Sequence, residues 1–358
     1  VGAGGGAARN RQNRSSANAY DLRFSASYEI DFWGKNTAAA DAAKAMAEAS
    51  RFDQETVRLT ILSSVAGAYV DILATRERLA IARQGVANAE RLLDAIRKRF
   101  AQGMVSGLEV AQQETVTANQ RAAIPALELR LRQSENALAL LLGRLPEANP
   151  VPDAKLAEIA IPVIAPGLPS ELLLRRPDVQ FAEARLKAAS ANITAARAAF
   201  FPSIGLTAAG GYQSAALSSL CNPGSALFTL AASVAQSIFE GGRLTGTLER
   251  ERARYDELLH NYQQTVIAAF TDVEDALAAA QQSAAAEDAR RAAAESARKA
   301  FALAERRLEG GIVDITSVLD TQRSLFAAED ALAEAKLSHL QALIGLYKAL
   351  GGGWKLGN

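Results

Sequence analysis

The 358-residue sequence has one cysteine, Cys221, which rules out an internal disulfide framework and any CxxC zinc site. It has only two histidines, His260 and His339, both at ordinary helical positions. No Ser/His/Asp constellation, carboxylate pair or metal-ligand spacing can be assembled around them, so neither catalysis nor a cofactor or metal is expected. Basic and acidic residues balance at 39 each, which removes the electrostatic case for nucleic acid or an anionic membrane surface. No run of 18 apolar residues stands out as a membrane-spanning helix; if the chain crosses a bilayer, it does so with strands. It opens at Val1 without methionine, charged leader or apolar signal region, so removal of an upstream segment is expected. Of ten prolines, six crowd into residues 146–169, leaving long stretches elsewhere without one.

Within one such stretch, residues 242–307 are alanine-rich with charges of both signs throughout, and predict one unbroken helix. Its roughly 65 residues would span about 95 Å, too long for an ordinary core helix, so it must lie against other long helices. The segment RLEGGIVD at 307–314 then turns the chain into a returning helix that ends at Leu350. The same design occurs earlier. Arg99, Gly103 and Val105 match Arg307, Gly311 and Val313, and the same offset of 208 pairs Ile30 with Ile238, Gly34 with Gly242, Leu142 with Leu350 and Gly143 with Gly351. A constant, gapless offset across more than a hundred residues marks a duplicated unit.

In the first repeat a helix is predicted over 36–99, a turn over 103–107, and a return helix over 108–142 that Pro125 should bend or break near Ile124. Residues 144–169 read as an extended connector. Pro177 and Asp178 start a further helix to Ala199, with proline and acid where the first turn favours them. The return helix, about 50 Å, and this upper helix, about 35 Å, together match one long helix. The counterpart of the upper helix would fall before residue 1.

Residues 20–32 alternate: Tyr20, Leu22, Phe24, Ala26, Tyr28, Ile30 and Phe32 on one face, Asp21, Arg23, Ser25, Ser27, Glu29 and Asp31 on the other. That is a strand of about 13 residues, long enough for a tilted bilayer crossing, although an amphipathic strand of a soluble sandwich would alternate too. Its repeat counterpart is 227–239. Residues 203–212 form another strand, and 213–226 an exposed loop between the two. Residues 1–14, before a polar NRSSAN turn, fill the role of first strand. The glycines at 2–6 lack the Lys-Ser/Thr of a phosphate loop and read as strand and turn glycine. The resulting segments are 1–35 and 202–241 (strand pairs), 36–143 and 242–351 (helical hairpins), 144–176 (connector), 177–201 (upper helix) and 352–358 (tail).

Eight segments taken together resemble one family: YEIDFWGK at Tyr28, RFAQGMVSGLEV at Arg99, LLLRRPDV at Leu172, AARAAFFPSIGLT at Ala195, IFEGGR at Ile238, AFTDVEDAL at Ala269, SVLDTQRSLF at Ser317 and LYKALGGGW at Leu346. In order and across nearly the whole chain, they are similar to the TolC-like outer-membrane efflux conduits, in the NodT-type, OprM-like lipoprotein branch. The resemblance implies an α+β membrane protein: a homotrimer sharing a twelve-stranded β-barrel, four strands per chain, in outer-membrane lipid, with a long periplasmic α-helical barrel and an equatorial collar. Four strands cannot close a barrel alone in any case, since about eight is the practical minimum. Counting strands leaves two, three or four chains open, and the resemblance gives three.

It further implies a passive duct in a tripartite efflux system, fed by an inner-membrane pump of the RND class through a periplasmic adaptor. The adaptor would dock on Gly103, Met104, Val105 and Ser106 in one turn and Gly311, Ile312, Val313 and Asp314 in the other. A gate at the inner constriction would fall on Asp320 and Thr316, the repeat counterpart of Asp320 being the neutral Gln112. The family's tyrosine and arginine lock positions fall on Leu308 and Val313, so closure must work differently here. The branch also carries a lipid-modified N-terminal cysteine that is absent from this sequence; Cys221, in the predicted outer loop, is a different residue. The rival to a conduit is a soluble or periplasmic coiled-coil scaffold, which the long helices alone would fit. A scaffold stays soluble without detergent, and a conduit does not.

Overall fold

The computed structural model describes residues 1–12, 15–146, 151–152, 154–159, 173–310 and 313–352. Among the described residues, four strands, β1 (Gly2–Gln12), β2 (Ser15–Ile30), β3 (Ser203–Ser214) and β4 (Ala226–Ala235), accompany five long α-helices: α1 (Lys35–Ala101), α2 (Gly107–Leu141), α3 (Pro177–Ala198), α4 (Arg243–Glu309) and α5 (Ile315–Ala349). The helices repeat to the residue: α1 and α4 have 67 residues each, α2 and α5 have 35, and every boundary shifts by 208 positions (35 to 243, 101 to 309, 107 to 315, 141 to 349). The glycines that anchored the sequence offset explain why. Gly34 and Gly242 stand before α1 and α4 with φ of 76° and 84°, and Gly143 and Gly351 follow α2 and α5 at 66° and 86°. In the last pair the glycine N–H bonds three residues back (Leu140, Lys348) and the next N–H five residues back (Ala139, Tyr347), a doubly bonded stop that needs a left-handed residue.

The chain divides into two compact units, one of Val1–Arg51 with Phe181–Gln264, the other of Phe52–Gln180 with Thr265 onward; α1 and α4 contribute to both. The first holds a four-stranded antiparallel sheet in the order β1-β2-β3-β4. Directly paired residues share a face, so the register sorts the side chains. Tyr28, Leu206 and Ala232 form one row; Phe24, Gly210 and Phe228 form another on the same side. Ser27, Thr207 and Ala231 lie opposite, as do Ser25, Ala209 and Thr229. One face is apolar, yet Phe24, Tyr28, Phe228, Leu230 and Val234 on it are exposed. At the foot of the sheet Trp33 stacks on Phe201 (4.6 Å), meets Phe32 edge-on (4.9 Å) and donates Nε1–H to the Pro202 carbonyl at 2.9 Å. Just beyond β2, the Asp31 carboxylate accepts the backbone N–H groups of Asn36 and Thr37, which starts α1.

Several strand boundaries differ from expectation, two of them with a clear cause. β4 stops at Ala235 rather than 239 because its partner β3 begins at Ser203, after Pro202, which has no N–H to continue the ladder. β2 begins at Ser15, inside the anticipated polar turn, because Gln12 already pairs with Ser15; Asn13 and Arg14 lie outside the described residues.

In the second unit, α1 runs against α2 and α5. Val70, Leu73 and Ala74 bury against Leu337 and Leu340 of α5. Leu156, in a short 3-10 turn of the proline-rich segment, joins them at 4% exposure, so part of the supposed connector is core. One stretch of α1 is long and apolar enough to cross a membrane by length and composition, against the reading that none is. Only 22% of that stretch is buried within the chain: Ile72 and Leu73 are essentially unexposed, whereas Val57, Ile61 and Leu62 lie open. α2 passes through Pro125 without a break. The proline removes one backbone bond, and ion pairs to α1 hold the helix on both sides: Arg121 to Glu90 at 2.5 Å and Arg130 to Asp71 at 2.8 Å.

Candidate functional site

The two helical turns are held differently from their surroundings. In the first, Gly103 has φ of 73° and donates to the Phe100 carbonyl, while the Met104 N–H reaches back to Arg99, closing α1 with the same doubly bonded stop. Ser106 then opens α2: its Oγ accepts from the Leu108 N–H at 3.2 Å, and the Glu109 carboxylate accepts from the Ser106 N–H at 3.0 Å and from its hydroxyl. The hydrogen bond from Ser106 holds the Glu109 carboxyl below its ordinary value. In the second turn Asp314 caps α5, accepting from the Ser317 N–H at 3.0 Å. Gly311 and Ile312 lie outside the described residues.

Val105 and Val313, which docking on the turns would require at the exposed tips, are half-buried. Both pack on one cluster of Ile96, Phe301, Ala304, Leu308, Ile315, Val318 and Leu319. This corrects the premise that they need an external partner: each turn's valine covers the end of a shared core. The exposed apolar side chains here are Met104 (65%), Leu108 (65%) and Phe100 (50%). Arg99 Nη2 donates to the Leu308 carbonyl at 3.1 Å, tying the end of the first hairpin to the second. Leu308 and Val313, the two lock positions, thus contribute hydrophobic packing in place of polar contacts.

Asp320 and Thr316 are both exposed on α5, while Val318 and Leu319 between them have no exposed surface. The amphipathic spacing of the helix therefore turns the Asp320 side away from the chain's own core. Its carboxylate pairs with Arg323 one turn on, at 3.1 Å.

Sequence reasoning passed over a further node. Arg176, 9% exposed, spends its guanidinium on the Asp178 carboxylate (Nε–Oδ1 3.0 Å, Nη2–Oδ2 2.6 Å), on Asp272 (2.9 Å) and on the Ala269 and Ala349 carbonyls (3.4 Å each). Burial alone would lower its pKa, and the two carboxylates reverse that and hold it above the ordinary value. A side chain on residue 351 would strike the Arg175 carbonyl, its Cβ only 2.4 Å away, so Gly351 is required at that approach. The signal was present in RRPD, where one arginine precedes a helix start and its acid.

Among the described residues, no group of three or more His, Cys, Asp or Glu side chains could hold a metal ion. The family model described as "Outer membrane efflux protein" matches residues 1–144 and 168–352. The chain belongs to this outer membrane efflux protein family. It is 41% identical over 340 residues to the pyoverdine export outer membrane protein OpmQ of Pseudomonas putida, covering 95% of this chain and 72% of that protein. It is 36% identical over 336 residues to the toluene efflux pump outer membrane protein TtgF of the same species, covering 94% and 70%. Among solved structures, the open-state MtrE outer membrane channel of Neisseria gonorrhoeae superposes with a TM-score of 0.90 at 31% identity, over 98% of this chain and 80% of that one.

The structural neighbours are trimeric channels, and the fold class is theirs: α+β, with four strands from each chain in a shared twelve-stranded barrel, and a helical barrel. The apolar sheet face, exposed in the single chain, is the face such a barrel turns to lipid. The protein is an outer-membrane channel component of an efflux system, reaching into the periplasm, in a family of transport channels. Efflux outer membrane proteins of this kind work in tripartite systems.

Proposed function

We propose that this chain is a passive duct, doing no chemistry, whose two helical turns dock a periplasmic adaptor and whose cargo arrives from an inner-membrane pump of the RND class. The observation that carries the docking is the exposure of Phe100, Met104 and Leu108 around a turn closed by two backbone bonds and a reciprocal cap. Apolar side chains held in one geometry at an exposed tip lose little freedom when a partner covers them. Gly103, Met104 and Ser106, with Gly311, Ile312 and Asp314 of the other turn, form the docking set; Val105 and Val313 support it from behind. Asp320 and Thr316 form the gate. Segments 1–35 and 202–241 serve as barrel, 36–143 and 242–351 as tunnel hairpins, and 144–176 with 177–201 as the collar. Relatives named for a siderophore and for a solvent share the architecture, which supports a duct whose pump chooses the cargo.

Photo-cross-linkers placed singly at Met104, Leu108 and Leu129 in cells test the docking. Leu129 is also exposed on α2, 60%, but lies well along the helix. Adaptor adducts from Met104 and Leu108 and none from Leu129 are expected; equal adducts from all three, or none from the turn, would refute it.

A further inference from the structure

We propose that Arg23 forms an oxyanion-selective step inside the barrel, at which carboxylate- or phosphate-bearing solutes are held briefly on their way out. The step deepens the duct reading and rests on it. Arg23 lies on the polar face of β2, the face that a barrel turns to its lumen. Its directly paired neighbours are glycines on both sides, Gly4 on β1 and Gly211 on β3. A Cβ at Gly211 would sit 2.0 Å from the Leu22 carbonyl oxygen and 2.9 Å from Arg23 Cα, so no other residue fits there; around Gly4 a Cβ would meet nothing within 4 Å. Neither flank carries a side chain, and on the Gly211 side lies a cavity of about 180 Å³ lined by Asp21, Arg23, Gly210, Gly211, Gln213 and Thr229.

Among the described residues Arg23 has no ion-pair partner, whereas Lys35, the nearest lysine along the chain, is paired with Glu29 at 3.0 Å. Asp21 shares the face and borders the cavity, with its Oδ1 placed toward β1, 2.7 Å from where a Cβ on Gly6 would sit. The guanidinium is therefore a free, permanently charged fork with five donors, the shape that takes a carboxylate or phosphate in two parallel bonds.

Trimeric symmetry multiplies it. Twelve tilted strands at about 4.8 Å spacing enclose a barrel roughly 24 Å across between backbones, and arginines reaching in from three sides leave no part of the lumen more than about a Debye length at 0.1 M salt from a charge.

The test uses the full-length trimer in planar bilayers, with Asp320→Ala as the parent so that the inner carboxylates do not set the selectivity. At about 0.01 M salt, where the Debye length is about 30 Å, Arg23→Gln should lower the chloride-to-potassium permeability ratio at least about two-fold, and Asp21→Asn should raise it; near 1 M both effects should vanish. Arg23→Lys should keep the ratio but lose the current block by citrate added on the barrel side. A conducting Arg23→Gln channel with unchanged ratio and unchanged citrate block would overturn the proposal while leaving the duct standing. Absence of conductance in the parent would overturn the duct, and this step with it.

Discussion

Arg78 on α1 grips Asp330 on α5 with two parallel hydrogen bonds, Nε to Oδ1 at 2.7 Å and Nη2 to Oδ2 at 2.8 Å. The pair joins one repeat to the other, and a second contact beside it, Lys336 to Glu77 at 2.9 Å, does the same. The hydrogen bond to Asp330 is the chief reason the guanidinium is held above its ordinary pKa. Both side chains are mostly shielded from water, so truncating either partner leaves a charge that solvent reaches poorly.

Arg78→Ala and Asp330→Ala should therefore each cost about 1–3 kcal/mol, and the double variant clearly less than their sum. Apparent unfolding temperatures of the detergent-solubilised protein measure this. Strict additivity would mean that the pair is decorative.

At the turns, burial of the valines separates stability from docking. Val105→Asp and Val313→Asp should speed hydrogen exchange in the segments around Phe301 and Leu308, because each places a carboxylate against their shared core. Met104→Asp, at an exposed position, should leave exchange unchanged while weakening adaptor capture. Faster exchange from Met104→Asp, or none from either valine variant, would reverse the assignment.

Much of this was legible in the sequence because local rules decided it. Helix lengths followed from glycines that take positive φ and recur at an offset of 208 from one repeat to the other. The sheet faces followed from strict alternation in β2. What escaped needs three dimensions. Gln113 reads as a polar surface residue, yet it has no exposed area and donates Nε2–H to the Ala89 carbonyl at 2.8 Å, because α2 lies close against a small residue of α1. Leu156 hid in proline-rich surroundings whose local signals all favour extended chain. The docking residues were misjudged in part for the same reason: a valine at a turn looks exposed until the neighbouring hairpin is known to pack on it.

Acid should loosen the first turn in a predictable sense. Glu109 in the folded protein has a pKa below its ordinary 4.5, so its capping contribution is fully present above that value and is lost as pH falls through the lower folded pKa. Limited proteolysis near residues 100–108 should show Glu109→Ala nicked faster than wild type at neutral pH, the difference shrinking once the wild-type Glu109 carboxyl is protonated. A difference that persists undiminished in strong acid would show that the carboxylate is not what closes the cap.

The proposed gate gives the most direct test of the whole account, because a duct must conduct and the proposal puts its closure where the hairpins end. Three symmetry-related Asp320 carboxylates near an axis would repel by about 4 kcal/mol per pair at 4 Å and an effective dielectric near 20, and by much less when hydrated. In the proposed gate Arg323, 3.1 Å from Asp320 in the same chain, would be the cation that lets them approach. Single-channel recording in planar bilayers should show wild-type trimers conducting weakly with a preference for cations. Asp320→Ala should change both resting conductance and that preference, while Asp275→Ala, in the Arg176 cavity on α4, should change neither. Identical conductance and selectivity in wild type and Asp320→Ala would contradict the account and put the constriction elsewhere.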